Sequence, residues 1–197
     1  MDPTRLSACA NLFCVDNASK LNTHTQAVGY NIYFGWYYGQ MPDNAAFVDK
    51  FHHDNPGIPL GITEYGVDCN LAYHAWEPKV RDYSEEFQAL YHETVYPIFR
   101  DREYIWGTFV WNMFDFSSEI RDEGGVRYAN CKGLVTYDRK IKKDAFYYYK
   151  AQWSAEPFVK IAESRFVHRE KNTMTVKVYS NAVSYTHLRA HETLRHL

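Results

Sequence analysis

The run Ile58-Pro-Leu-Gly-Ile-Thr-Glu64-Tyr-Gly66 constrains this chain more than any other stretch. Pro59 opens it, apolar residues fill it and Gly66 ends it, the pattern of a short parallel strand covered on both faces. One carboxylate, Glu64, stands at its C-terminal end. Taken alone, that glutamate has two readings: a catalytic group at a strand mouth, or an N-capping residue leading into the next helix.

The neighbouring segments separate the two. Residues 27–37 and 105–116 form two more apolar, aromatic runs, each ending in polar or aromatic groups. Helical spacing follows each strand. Asp43 to His53 carries Phe47, Val48 and Phe51. Asp82 to Arg100 carries Phe87, Leu90, Tyr91, Val95, Ile98 and Phe99 on one face, with acidic residues at the dipole's positive end. Lys143 to Trp153 follows the third strand. Strand and helix in alternation imply an α/β fold of parallel βαβ units. Three or four units fit in these 197 residues, whereas a complete (β/α)8 TIM barrel takes roughly 250 residues. The expectation is part of a barrel, with Glu64 at the strand end where such barrels keep their chemistry.

Five motifs then occur in order: Asp2-Pro-Thr-Arg5, Tyr30-Asn-Ile-Tyr-Phe-Gly-Trp-Tyr37, Thr63-Glu-Tyr-Gly66, Val110-Trp-Asn-Met-Phe-Asp-Phe116, and residues 130–140, beginning Asn130-Cys-Lys132-Gly. Together they resemble the C-terminal half of the catalytic barrel of glycoside hydrolase family 2. Residues 115–150, with Arg121-Asp-Glu-Gly-Gly125 inside, are most similar to bacterial β-galactosidases. The resemblance spans about residues 1–182. It divides the chain into barrel (1–155), the first strands of an all-β, immunoglobulin-like sandwich (156–182) and a remaining tail (183–197).

The resemblance implies a retaining glycosidase, in which two carboxyl groups about 5–5.5 Å apart flank the scissile bond. Glu64 matches the nucleophile, at the end of the seventh barrel strand. Tyr33, on the sixth, matches a tyrosine that donates to that carboxylate, orienting it and favouring its charged form. Trp111, on the eighth, matches a flat wall for a sugar ring. Asn31, Trp36 and Asn130 are candidates for sugar contacts or site walls. Asn130-x-Lys132 has the spacing with which glucuronidases hold a sugar carboxylate, but Asn-x-Lys also occurs in relatives with neutral substrates. The substrate expected first is therefore a terminal β-galactoside, with a β-glucuronide as the alternative. A catalytically dead carbohydrate-binding module is the reading from another class. Asp115 and Asp122 are read as structural.

The family's acid/base lies in an Asn-Glu dipeptide on the fourth strand, and no Asn-Glu occurs in this sequence. Its metal-binding glutamate and histidine lie in the first half of the barrel. Hence no cofactor is expected within these residues, any divalent metal would belong to a longer parent, and the chain alone is expected to be inactive. The parent's oligomeric state is left open, a homo-oligomer included.

Composition narrows partners. A net charge of −2 gives no electrostatic footprint for nucleic acid, and no apolar run reaches membrane-spanning length. Four cysteines without Cys-x-x-Cys pairing read as free thiols, consistent with a reducing, cytoplasmic setting. Beyond the barrel the period becomes alternating, with Met174, Val176 and Val178 on one face and Thr175, Lys177 and Tyr179 on the other. From Val183 the pattern breaks. Residues 183–197 look like a translated library adapter rather than native sequence.

Overall fold

The structure is a computed structural model that describes residues 4–169, 173 and 175–182. Its centre is a four-stranded parallel sheet in the order β1 (Ala8–Leu12), β2 (Ala27–Asn31), β3 (Leu60–Tyr65), β4 (Ile105–Val110). Helix α1 (Asp43–Asp54) links β2 to β3, and α2 (Glu85–Arg100) links β3 to β4. Alternation decides which side of the sheet is buried. Val28 and Tyr30 of β2 and Leu60 and Ile62 of β3 are fully buried, in one cluster with Val48, Phe51, Phe87, Tyr91, Val95 and Phe99 of the two helices. Each such side chain contributes about 1.5–3 kcal/mol of burial. On β1, Ala8, Ala10 and Leu12 alternate with these inward positions and are exposed. The sheet is thus covered by helices on one face and open on the other.

Helix α2 begins at Glu85 rather than at Asp82. Arg81 and Tyr83 hold left-handed backbone at φ 68° and 58°, so no helical turn can run through them. Ser84 caps the start instead, its Oγ accepting from Phe87 N at 3.0 Å. The third strand also ends earlier than residue 116. After Trp111 the chain leaves β3 for the segment at 132–135: Asn112 N donates to Lys132 O at 3.3 Å and Asp115 N to Val135 O at 2.9 Å. Phe116 opens an antiparallel hairpin, β5 (Phe116–Glu123) and β6 (Val126–Asn130). Gly124 and Gly125, at φ 63° and 75°, make its turn.

Helix α3 (Asp144–Trp153) packs on α2. Beyond it, β7 (Val159–Ile161) and β8 (Val178–Ser180) pair antiparallel. Tyr179 is their buried member, while Val176 and Val178 are exposed. Among the described residues this ribbon is not extended into an immunoglobulin-like sandwich. It is pinned to α2 by Lys177 Nζ, 3.0 Å from Glu93 Oε2, and by the Tyr179 hydroxyl on Glu93. Residues 183–197, read above as an adapter, lie outside the described residues, as does Met174. Among the described residues no helix is long and apolar enough to cross a membrane.

Candidate active site

Parallel pairing of β2 with β3 sets Asn31 opposite Glu64. Ile32 N continues the ladder to Glu64 O at 2.9 Å. Tyr33, two residues beyond Asn31, returns to the same side of the chain. Its hydroxyl donates to Glu64 Oε2 at 2.7 Å. Burial, and then the neighbouring carboxylate, push the Tyr33 phenol well above its usual range, so it stays a proton donor. Glu64 itself is half-buried.

The strand end cannot drift from its neighbour. A Cβ on Gly66 would lie 2.2 Å from Trp111 O, and Trp111 N donates to Tyr65 O at 2.9 Å. Only glycine lets the backbones bearing Glu64 and Trp111 approach this closely. Trp111 is half-buried, edge-on to Phe116 at 5.8 Å. Behind the strand, Tyr149 bridges Tyr65 and His92 through its hydroxyl, each at 2.9 Å. Burial pushes His92 down to about 3, so this network is neutral.

A second cluster adjoins the first through a pair of tyrosine rings. The Tyr33 and Tyr37 rings lie 5.3 Å apart, edge to face. The Tyr37 hydroxyl accepts from Lys132 Nζ at 2.6 Å and from Arg121 Nη1 at 3.3 Å. Asp68, four residues after Glu64, accepts on Oδ2 from Lys132 Nζ and, at 2.9 Å, from Arg121 Nη2. Its Oδ1 accepts from Cys131 N at 3.1 Å. Arg81 stacks over Trp36 and Tyr37, at 5.0 and 5.4 Å from the ring centres, and pairs with Glu123 at 3.1 Å.

The sequence candidates fare unequally. Glu64 and Tyr33 meet in a hydrogen bond, and Trp111 lies beside the same strand end through its backbone. Asn31 spends its Oδ1 on Thr63 Oγ1 at 2.7 Å. Asn130 is 6% exposed, its Oδ1 accepting from Lys132 N at 3.1 Å. Lys132 is 1% exposed and bound to Asp68 and Tyr37. Trp36, read as a sugar contact or wall, is 2% exposed and packs in the core against Tyr83 and Phe87. It can back the site but not touch a ligand, because Arg81 covers its ring. Asp115 is buried on Lys143 Nζ at 2.9 Å and Gly133 N at 2.8 Å, and burial raises its carboxyl. Asp122 is a surface residue paired with Arg127 at 3.1 Å. Tyr37 and Arg121 stand inside motifs quoted from the sequence but were given no role there, and Asp68 was not singled out.

No group of three or more histidine, cysteine or acidic side chains among the described residues could hold a metal ion. The four cysteines are free thiols.

Three known proteins are similar to this chain. A β-glucuronidase from Bacteroides fragilis is 38% identical over 194 residues, 92% of this chain and 26% of its own length. The crystal structure of an FMN-binding β-glucuronidase from Facaelibacterium prausnitzii L2-6 superposes with a TM-score of 0.89 at 49% identity, covering 91% of this chain and 28% of that one. A putative β-galactosidase structure from Bacteroides fragilis gives 0.86 at 37% identity, covering 93% and 28%. The chain thus spans about a quarter of the length of the proteins it matches. The family model described as glycosyl hydrolases family 2, TIM barrel domain, matches residues 1–157. With that match the chain belongs to glycosyl hydrolase family 2, as part of its TIM barrel domain.

Proposed function

We propose that the full-length protein containing this chain is a retaining β-glycosidase in which Glu64 is the nucleophile, and that its preferred substrate is a β-glucuronide. The observation that carries the first half is the 2.7 Å hydrogen bond from Tyr33 to Glu64. A charged carboxylate held by one donor has a free oxygen with which to attack an anomeric carbon. The C–O bond to the aglycone breaks as the glycosyl ester forms, and the leaving oxygen takes a proton from the acid/base expected on the fourth barrel strand. Water, deprotonated by that same group, then releases the sugar with its configuration retained. Tyr33 holds Glu64 in place in both steps, and Trp111 offers the apolar wall.

The substrate half rests on the cationic cluster joined to Tyr33 through Tyr37. Lys132, Arg121 and Arg81 face only two carboxylates, Asp68 and Glu123, so one positive charge is left for an acidic sugar. This reverses the preference for galactosides drawn from the sequence, and the two glucuronidases among the similar proteins support the reversal. A neutral galactoside remains the second reading, because Lys132 is 1% exposed and already paired with Asp68. Nitrophenyl β-glucuronide and β-galactoside, assayed side by side on the full-length protein, separate the readings. A kcat/KM ratio above about 100 for the glucuronide, equal to some 2.7 kcal/mol, is the expected outcome. A ratio below one returns the assignment to galactosides.

A further inference from the structure

A lysine already neutralised by an aspartate is a poor receptor for another carboxylate. Asp68 and Lys132 are 4% and 1% exposed, and an acidic sugar brought to this pair meets as much repulsion as attraction. Arg121 changes that balance. It reaches in from β5, 15% exposed, and places Nη2 on the same Asp68 oxygen that holds Lys132. Its Nη1 reaches Tyr37, the phenol that also accepts from Lys132. Its buried Nε meets no hydrogen-bond partner among the described residues. Counting Arg81 and Glu123, three cations face two carboxylates, a surplus of one positive charge.

We infer that Arg121 is a specificity-determining positioning residue: by binding Asp68 it frees the charge of Lys132 for an acidic sugar, without touching the reacting atoms. The inference deepens the glucuronide reading and rests on it. Arg121 acts through Asp68, so removing Arg121 harms acidic ligands selectively, and removing the charge of Asp68 as well restores them. A role confined to anchoring the hairpin predicts neither result.

The test uses two covalent inactivators on the full-length protein, cyclophellitol aziridines with and without a carboxylate on C6. Both are scored as a binding constant and a maximal inactivation rate. For Arg121→Gln the acidic reagent is expected to bind about tenfold more weakly, the scale of one lost charge-assisted hydrogen bond. Its maximal rate, and both constants of the neutral reagent, should stay within twofold. Adding Asp68→Asn should recover most of the lost binding. Equal weakening toward both reagents, or no recovery in the double variant, overturns the role of Arg121 while leaving the glucuronide reading intact. If the unsubstituted protein binds the neutral reagent more tightly, the glucuronide reading fails and this inference falls with it. Should Arg121→Gln not fold, Arg121→Met, which keeps the length of the side chain and removes its charge, carries the same comparison of reagents.

Discussion

Arg165, in the segment between β7 and β8, closes on Glu85 at the N-terminus of α2, eighty residues earlier in the chain. Its Nε donates to Glu85 Oε2 at 2.7 Å and its Nη2 lies 3.1 Å from Asp144 Oδ1, at the start of α3. One guanidinium thus serves two carboxylates that are 0% and 1% exposed. It also ties the strand pair that follows the barrel segment to two helices of the barrel.

Removing that cation leaves both acids buried without their partner. Arg165→Met is expected to destabilise the protein by about 2–4 kcal/mol, near the range for breaking a buried ion pair and lowered for the partial exposure of Arg165. Urea unfolding followed by tryptophan fluorescence checks it. A change below 1 kcal/mol would mean that water reaches Glu85 and Asp144 freely.

The same cluster gives a pH dependence. Burial, and then the charge of Glu85, raise Asp144 to about 6, with Arg165, Lys160 and the Glu163 amide opposing. A carboxyl that holds its proton more tightly when folded stabilises fully below the unfolded value near 3.8 and loses that contribution as pH rises through about 6. Stability measured from pH 4.5 to 7 should therefore contain a falling component of about 1–3 kcal/mol. In Asp144→Asn that component should be absent. An unchanged slope in the variant would assign the dependence to other groups.

Gly66→Ala tests the strand crossing beside Glu64. The new methyl would meet Trp111 O at 2.2 Å, contact between backbone groups that no rotamer can relieve. We expect a loss of about 1–3 kcal/mol, typical of overpacking, and a fall in kcat of at least tenfold as Glu64 and Trp111 separate. Activity within twofold of the unsubstituted protein would show that their spacing is not critical.

Much of this was legible in the sequence. The helix read over 43–53 and the strand read within 58–66 match α1 (Asp43–Asp54) and β3 (Leu60–Tyr65), because apolar periodicity, Pro59 and Gly66 all act locally. Ala8–Leu12 escaped notice, since its open face carries alanines and its covered face only Cys9 and Asn11. The β5–β6 hairpin escaped too, because a surface ribbon rich in charge has no apolar alternation to detect. Tyr33 and Glu64 could be paired through their motifs, one strand apart. Trp36 could not be told from a surface aromatic, as its burial depends on Arg81 and Phe87, some 45 to 51 residues on. The Tyr37–Lys132–Asp68–Arg121 network joins three loops and a hairpin, and no local pattern encodes that meeting.

The central claim is that Glu64 attacks the sugar and Tyr33 holds it for the attack. Covalent trapping of the full-length protein with a 2-fluoro glycoside, followed by peptide mapping, tests it most directly. The account predicts a single label on Glu64, in the peptide containing Thr63-Glu64-Tyr65, and no label in Glu64→Gln. Tyr33→Phe should label at the same residue at least tenfold more slowly, since one oriented hydrogen bond to a charged group is worth roughly 1.5–3 kcal/mol. A label on any other carboxylate, Asp115 and Asp122 included, or full-rate labelling of Tyr33→Phe, would contradict it.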